Sequence, residues 1–282
     1  MTSFSLVLRS NSPSPAEAAK GKVARCYSGS MESKYAKSMI ACNPRGPLMI
    51  HCCKLYSAED GQSFLTFGRI YSGTVKPGDR VRILGEGYSP QDDEDMSVAT
   101  VEAISIPRGR SRTEVTAASA GNWVLLQGVD ANIAKTATIA GMNSSATGGL
   151  EGQGIEEEEE EGQVHIFSPL KFHQAGGESV VKLAIEPLKP AELPKMVEGL
   201  RRVSKAYPMV KTRVEESGEH VLFGTGELYM DCVMHDLRHV YSDVEVKVAD
   251  PVVSFRETVI DTSSLKCFAE VSLPCSNVKS RP

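Results

Sequence analysis

Phe64-Leu65-Thr66-Phe67-Gly68-Arg69-Ile70-Tyr71 leads through Lys76-Pro77-Gly78-Asp79 into Arg80-Val81-Arg82-Ile83-Leu84. The stretch reads as strand, turn, strand. Pro at the second and Gly at the third position mark a β-turn. Beyond it, Arg80 and Arg82 alternate with Val81 and Ile83, which is the period of a strand with one face inward. Working outward, Leu48–Leu55, Ser97–Ile106, Trp123–Gly128 and Ala134–Ile139 are runs of the same kind, and Ser57 to Gly61 is another turn. No helical period intrudes between 47 and 140. Many short strands without helices predict a small closed β-barrel over 46–140, because closure leaves no sheet edge exposed.

From 164 to 250 the pattern changes. Val181, Leu183 and Ile185 share one face of a strand over Val180–Glu186, which Pro187 and Pro190 end. Leu193, Met196, Val197, Leu200 and Val203 follow at helical spacing, stopped by Pro208. Met209–Glu215 and His220–Phe223 form a hairpin around Ser217-Gly218. A second helix is predicted over Glu227–Tyr241, with Tyr229, Val233 and Leu237 stacked on one side. Val244, Val246 and Val248 close the set. The order β-α-β-β-α-β is the split βαβ, or ferredoxin-like, α+β sandwich, with helices on one sheet face only.

Three segments lie outside these two modules. Residues 1–45 read as irregular, since Pro13, Pro15, Gly21, Gly29 and Pro44 interrupt every candidate element. Residues 141–163 read as a low-complexity acidic linker, because the six consecutive glutamates Glu156–Glu161 repel one another and bury nothing. Residues 251–282 read as the start of a further domain.

Of the 282 residues, 41% are hydrophobic and 24% charged. No run approaches the ~20 apolar residues of a helical membrane span. The net charge of -5 owes its sign to the glutamate run, so bulk charge selects no partner. Seven cysteines, irregularly spaced and without a C-x-x-C, do not make a disulfide framework. They predict reduced, buried thiols in a nuclear or cytosolic protein.

The motifs are few. His235 and His239 stand at i, i+4, but the residue after His235 is Asp236, so the H-E-x-x-H metal signature is absent. Gly224-Thr225-Gly226-Glu227 joins a strand to a helix start, where either a phosphate could dock or a glycine is needed for positive φ and close packing. Neither G-x-x-x-x-G-K-[ST] nor G-x-G-x-x-G occurs. Arg201, Arg202, Lys205, Lys211 and Arg213 gather positive charge, either as a solvated face or as a contact for RNA or an acidic partner. No aromatic row interleaves them, so base stacking is not indicated there. Asp92-Asp93-Glu94-Asp95 reads as a solvated loop.

Several strings carry a family resemblance. Phe67-Gly68-Arg69-Ile70, Ser72-Gly73-Thr74-Val75 and Gly78 resemble the second domain of elongation factor 2 and its relatives. Ala120-Gly121-Asn122-Trp123-Val124, Gly128-Val129-Asp130 and Lys135–Ile139 continue it. Glu216-Ser217-Gly218-Glu219-His220, Gly224-Thr225-Gly226-Glu227-Leu228 and Ala249–Thr258 resemble the third domain and the strand after it. The wording is most similar to the spliceosomal branch, the elongation-factor-2-like GTPases of the U5 small nuclear ribonucleoprotein. Leu84–Tyr88 followed by acids, Trp123, Cys232–Arg238 and Glu257–Glu270 carry that. The likeness covers about residues 44–270 and departs at Ile106–Arg112 and 141–162.

The resemblance implies a segment of a pre-mRNA splicing GTPase acting in the nucleus, its barrel and sandwich serving as interaction and conformational-relay domains. The alternative is the matching segment of the ribosomal translocase in the cytoplasm. It implies a GTP-binding protein or GTPase using GTP and Mg²⁺ for the whole protein, with no catalytic, cofactor or metal residue in this chain, which lacks the P-loop and is expected to have no activity alone. It implies a U5 scaffold protein and a spliceosomal helicase as partners, with U5 RNA as a third. It places residues 1–45 as a remnant of the GTP-binding domain and 251–282 as a truncated fourth domain. Candidate interdomain or partner contacts are Ser217, Gly218, Glu219, His220, Gly224, Gly226, Glu227, Arg201, Arg202, Lys205 and Trp123. The two turns would sense nucleotide state. Because acids repel phosphate, the barrel, with Asp92–Asp95 and Trp123, is expected to meet protein rather than ribosomal RNA.

Overall fold

The computed structural model describes residues 12–58, 60–91, 94–142, 164–170, 180–216, 218–253, 258 and 260. The acidic linker beyond Met142, Asp92, Asp93, Ser217 and most of 254–282 lie outside the described residues.

The barrel is built from β1 (Met49–Ser57), β2 (Phe64–Ser72), β3 (Thr74–Val75), β4 (Arg80–Leu84), β5 (Met96–Thr100), β6 (Ala103–Arg108), β7 (Ser111–Glu114), β8 (Ala118–Ser119), β9 (Trp123–Gln127) and β10 (Ala137–Gly141). The main sheet runs β5-β4-β10-β1-β2-β9-β6-β7, every pair antiparallel. Ser97–Ile106, expected as one strand, is β5 and β6 separated by a bend at Val101-Glu102. That bend closes the barrel, because one run of chain pairs with β4 through its first half and with β9 through its second. Inside lie Ile50, Leu55, Ile70, Val81, Ile104, Val124, Leu126 and Ile139, all buried.

Residues 12–45 depart from the irregular chain expected of them. They form α1 (Pro15–Cys26) and α2 (Lys34–Ile40). Pro15 starts α1 rather than breaking it, since the first helical position has no N–H partner to lose. Ser14 and Glu17 complete a capping box there, and Ser33 caps α2. The helices bury Val23, Ala36 and Met39 against the outside of the barrel, beside Met49 and Tyr71. Residues 164–170 seal the same place. Ser28 N donates to Ile166 O at 3.1 Å and Ser168 N to Cys26 O at 2.6 Å. Phe167 N donates to Thr138 Oγ1 at 2.7 Å, and its ring stacks on buried His51 with centroids 4.7 Å apart.

The second module is β11 (Val181–Pro187), α3 (Leu193–Ala206), β12 (Lys211–Val214), β13 (His220–Gly224), α4 (Glu227–Asp236) and β14 (Val246–Val248). Its sheet order β12-β13-β11-β14 is the ferredoxin-like arrangement. Helix α3 buries Met196, Leu200 and Val203 as its spacing predicts, while Leu193 is 39% exposed. The second helix does not stay α to Tyr241. Leu237–Tyr241 is a π-turn closed by Ser242 N donating to Leu237 O at 3.0 Å. The wider turn buries both Leu237 and Tyr241. After β14, β15 (Val252–Val253) pairs with Val181 and Lys182 of β11.

One apolar core runs through both modules. Phe64 of the barrel stacks on Tyr241 of the π-turn, centroids 6.2 Å apart. The thiols are less buried than expected. Of the described free cysteines Cys52 is buried, Cys26, Cys42 and Cys53 are half-buried and Cys232 is exposed.

Candidate partner surface

The two turns expected to sense nucleotide state lie at opposite ends of β13. Gly218 sits in the β12–β13 turn at φ +86, a left-handed conformation that favours glycine. Its N–H donates to Glu215 O at 2.9 Å, and Glu215 N donates to Glu219 O at 3.0 Å. Glu219 is exposed and His220 half-buried. Ser217 lies outside the described residues. At the far end, Gly224 is buried where a Cβ would collide with Met230 Sδ. Gly226 is extended, φ -177, with open space around it. Close packing is thus required at Gly224, and positive φ is required at neither glycine. Glu227 is exposed in the first turn of α4, and Leu228 beside it is 83% exposed.

The basic cluster divides. Arg201 projects into solvent, 3.7 Å from Glu198. Arg202 lies 3.5 Å from the same carboxylate and donates to Tyr241 O at 3.3 Å. Lys205 donates to Asp130 O at 2.8 Å and Ala131 O at 2.9 Å, both in the barrel. Its ammonium also lies 5.9 Å from the Phe64 centroid. Burial pulls its pKa below the ordinary lysine value, with Asp130 opposing. Lys211 and Arg213 stay exposed on β12.

Lys135, quoted only within a family string, reciprocates. From the barrel it donates to Pro208 O at 2.8 Å and Val210 O at 2.6 Å in the second module. Burial lowers its pKa too, with Glu86 opposing. Each module therefore holds two backbone carbonyls of the other with one ammonium. The pair joins positions 73 to 75 residues apart, and no local spacing marks it.

Trp123 opens β9 on the outer face of the barrel, 40% exposed, stacked on Phe67. His235 and His239 have ring centroids 4.8 Å apart, with His235 Nδ1 3.3 Å from Asp236 Oδ1. Among the described residues no three His, Cys, Asp or Glu side chains come together to hold a metal.

Comparison with known proteins finds two elongation-factor domains in the chain. Residues 63–140 match elongation factor Tu domain 2, and residues 177–250 match elongation factor G domain III. The chain is 51% identical over 267 residues to the 110 kDa U5 small nuclear ribonucleoprotein component CLO of Arabidopsis thaliana, covering 95% of this chain and 25% of that protein. It is 45% identical over 260 residues to the pre-mRNA-splicing factor cwf10 of Schizosaccharomyces pombe, covering 92% and 24%. It thus spans about a quarter of the length of the curated relatives it matches. Across the second and third elongation-factor domains, the chain belongs to the elongation-factor-2-like family of U5 small nuclear ribonucleoprotein components.

Proposed function

We propose that this chain is part of a U5 small nuclear ribonucleoprotein GTPase acting in pre-mRNA splicing in the nucleus, and that its two modules work as one interaction and relay body. The carrying observation is the lysine exchange at the seam, Lys205 into the barrel and Lys135 out of it. Modules so joined pass on a rotation as a unit rather than hinging between themselves. The likeness to U5 components at 51% identity runs through both modules and supports the splicing assignment over the ribosomal one.

In this reading GTP and Mg²⁺ belong to the whole protein. Phosphoryl transfer needs a backbone cradle with its lysine. The chain has no such string, and its scattered cations do not pre-organise N–H donors around a phosphate. The turns at Gly218–His220 and Gly224–Glu227 lie one at each end of β13. The acidic turn around Glu86–Asp95, the exposed Arg201 and the turn residues are contacts for protein, among them the scaffold protein and the helicase.

Tagged chain recovered from nuclear extract tests the assignment. It is expected to bring down U5 RNA and the scaffold protein. Ribosomal RNA in equal or greater yield would overturn it.

A further inference from the structure

The outer face of β1, β2 and β9 carries a row of aromatic rings. Phe67 lies opposite Lys54 on one side and Leu125 on the other. The Trp123 ring stacks on Phe67, centroids 4.9 Å apart and planes 13° apart. Tyr56 meets Phe67 edge-on at 5.8 Å, and the Lys54 ammonium lies 4.9 Å from the Tyr56 centroid. Tyr56 is 45% exposed and Trp123 40%. A single exposed aromatic needs no explanation, but rings in mutual contact form a patch.

Positive charge flanks the row. Lys54 stands at one end. At the other, β6 pairs with β9 and turns back through a hairpin carrying Arg108, Arg110 and Arg112, all exposed. Glu114 opposite Ser105 and Glu102 before β6 are acids on that side. The acidic turn of Glu86 and Asp95 hangs from β4, three strands round the barrel from β2. The repulsion expected between acids and phosphate therefore does not reach Trp123.

We infer that this wall binds single-stranded RNA, with bases stacking on Trp123 and Tyr56 and phosphates meeting Lys54 and the arginine hairpin. Ring faces beside cations on an antiparallel sheet supply both halves of that recognition. A duplex offers no free base faces. An acidic peptide would satisfy the arginines and leave the rings unused. The inference does not depend on the splicing assignment, since it concerns RNA of any sequence.

Fluorescein-labelled U12 is titrated with the full chain, alongside a duplex RNA of equal length. Trp123 is the sole tryptophan, so its emission reports stacking directly. U12 is expected to quench it, and the Tyr56→Ala/Trp123→Ala variant to weaken U12 binding at least tenfold. Arg108→Ala/Arg110→Ala is expected to reduce the salt slope by about 1 to 1.5, at ~0.7 per phosphate contact. Lys189→Ala, remote on the second module, leaves binding unchanged. Circular dichroism checks folding, and Tyr56→Leu/Trp123→Leu replaces the alanine pair if that pair unfolds. Unchanged affinity in the folded aromatic variant, or duplex bound as tightly as U12, overturns the inference. So does a glutamate-rich dodecapeptide that binds with the same dependence on Trp123, which would give the wall to an acidic polypeptide.

Discussion

The outer face of β1 and β2 has two ends built alike and used differently. At one end Met49, His51 and Tyr71 lie under Tyr27, Val23 and Phe167 and are buried. At the other, Tyr56 and Phe67 join Trp123 of β9 in a row that reaches solvent. An irregularity between Cys52 and Lys54 shifts the phase of β1, yet both ends keep an outward row of side chains. What separates the ends is a cover made by chain from far away in sequence, α1, α2 and residues 164–170. Burial on this sheet is thus a property of what is laid over it, and the same residue types serve as core at one end and as surface at the other.

The largest effect belongs to the covered end. Phe167 is 3% exposed and touches Tyr27, His51 and Tyr71. Phe167→Ala is expected to cost ~3–5 kcal/mol, the range for emptying an aromatic site in a packed core. Urea denaturation measures it. A cost under about 1 kcal/mol would mean that the cover is loosely seated and that the two ends differ less than their burial indicates.

Acid should act on the covered end as well. His51 is 4% exposed, and burial lowers its pKa from 6.5 to about 4. The folded state thus holds the neutral ring while the unfolded chain takes up a proton below about 6.5. Stability supplied by neutral His51 is complete above that value and falls as pH drops toward 4, by up to about 3 kcal/mol. Urea midpoints for the wild type and His51→Phe, compared at pH 7 and pH 4.5, isolate the contribution. Parallel loss in both would place the acid sensitivity elsewhere.

The seam between modules is locked by charge rather than by a ring. Lys205→Ala leaves Asp130 O and Ala131 O without their ammonium. Hydrogen bonds from a charged donor contribute ~1.5–3 kcal/mol, and water reaching this half-buried site replaces part of that, so a cost of about 1–2 kcal/mol is expected. Lys135→Ala should match it. A loss below 0.5 kcal/mol for both, by the ~±0.5 kcal/mol standard of ordinary surface changes, would undo the picture of one rigid body.

Local periodicity made the strands, α3 and the order of both modules readable, because each depends on neighbours within a few residues. Leu200 and Arg201 are adjacent yet one is buried and one exposed, as the helical phase requires. What is not legible is partly local and mostly long-range. Pro15 and Gly21 look like breakers, although Ser14 and Glu17 spell a capping box within four residues. Arg201, Arg202 and Lys205 looked like one patch, and only the fold shows that Lys205 faces inward to the barrel. The aromatic row was missed because Tyr56, Phe67 and Trp123 are distant in sequence and meet only through strand register.

The smallest effect is the one that most sharpens the contrast between the two ends. Trp123 stacks on Phe67, and 40% of it meets solvent. Removing it opens no cavity, so the cost reduces to one aromatic pair, ~0.5–1.5 kcal/mol, and the exposed setting favours the lower half of that range. Trp123→Ala is therefore expected to shift stability by about 1 kcal/mol or less in the urea titration that finds Phe167→Ala severe. Equal costs would show that the open end is structural after all, held by contacts its exposure conceals. A small cost leaves the ring without a folding role, and a cluster of aromatics the fold does not need is explained by contact with another molecule.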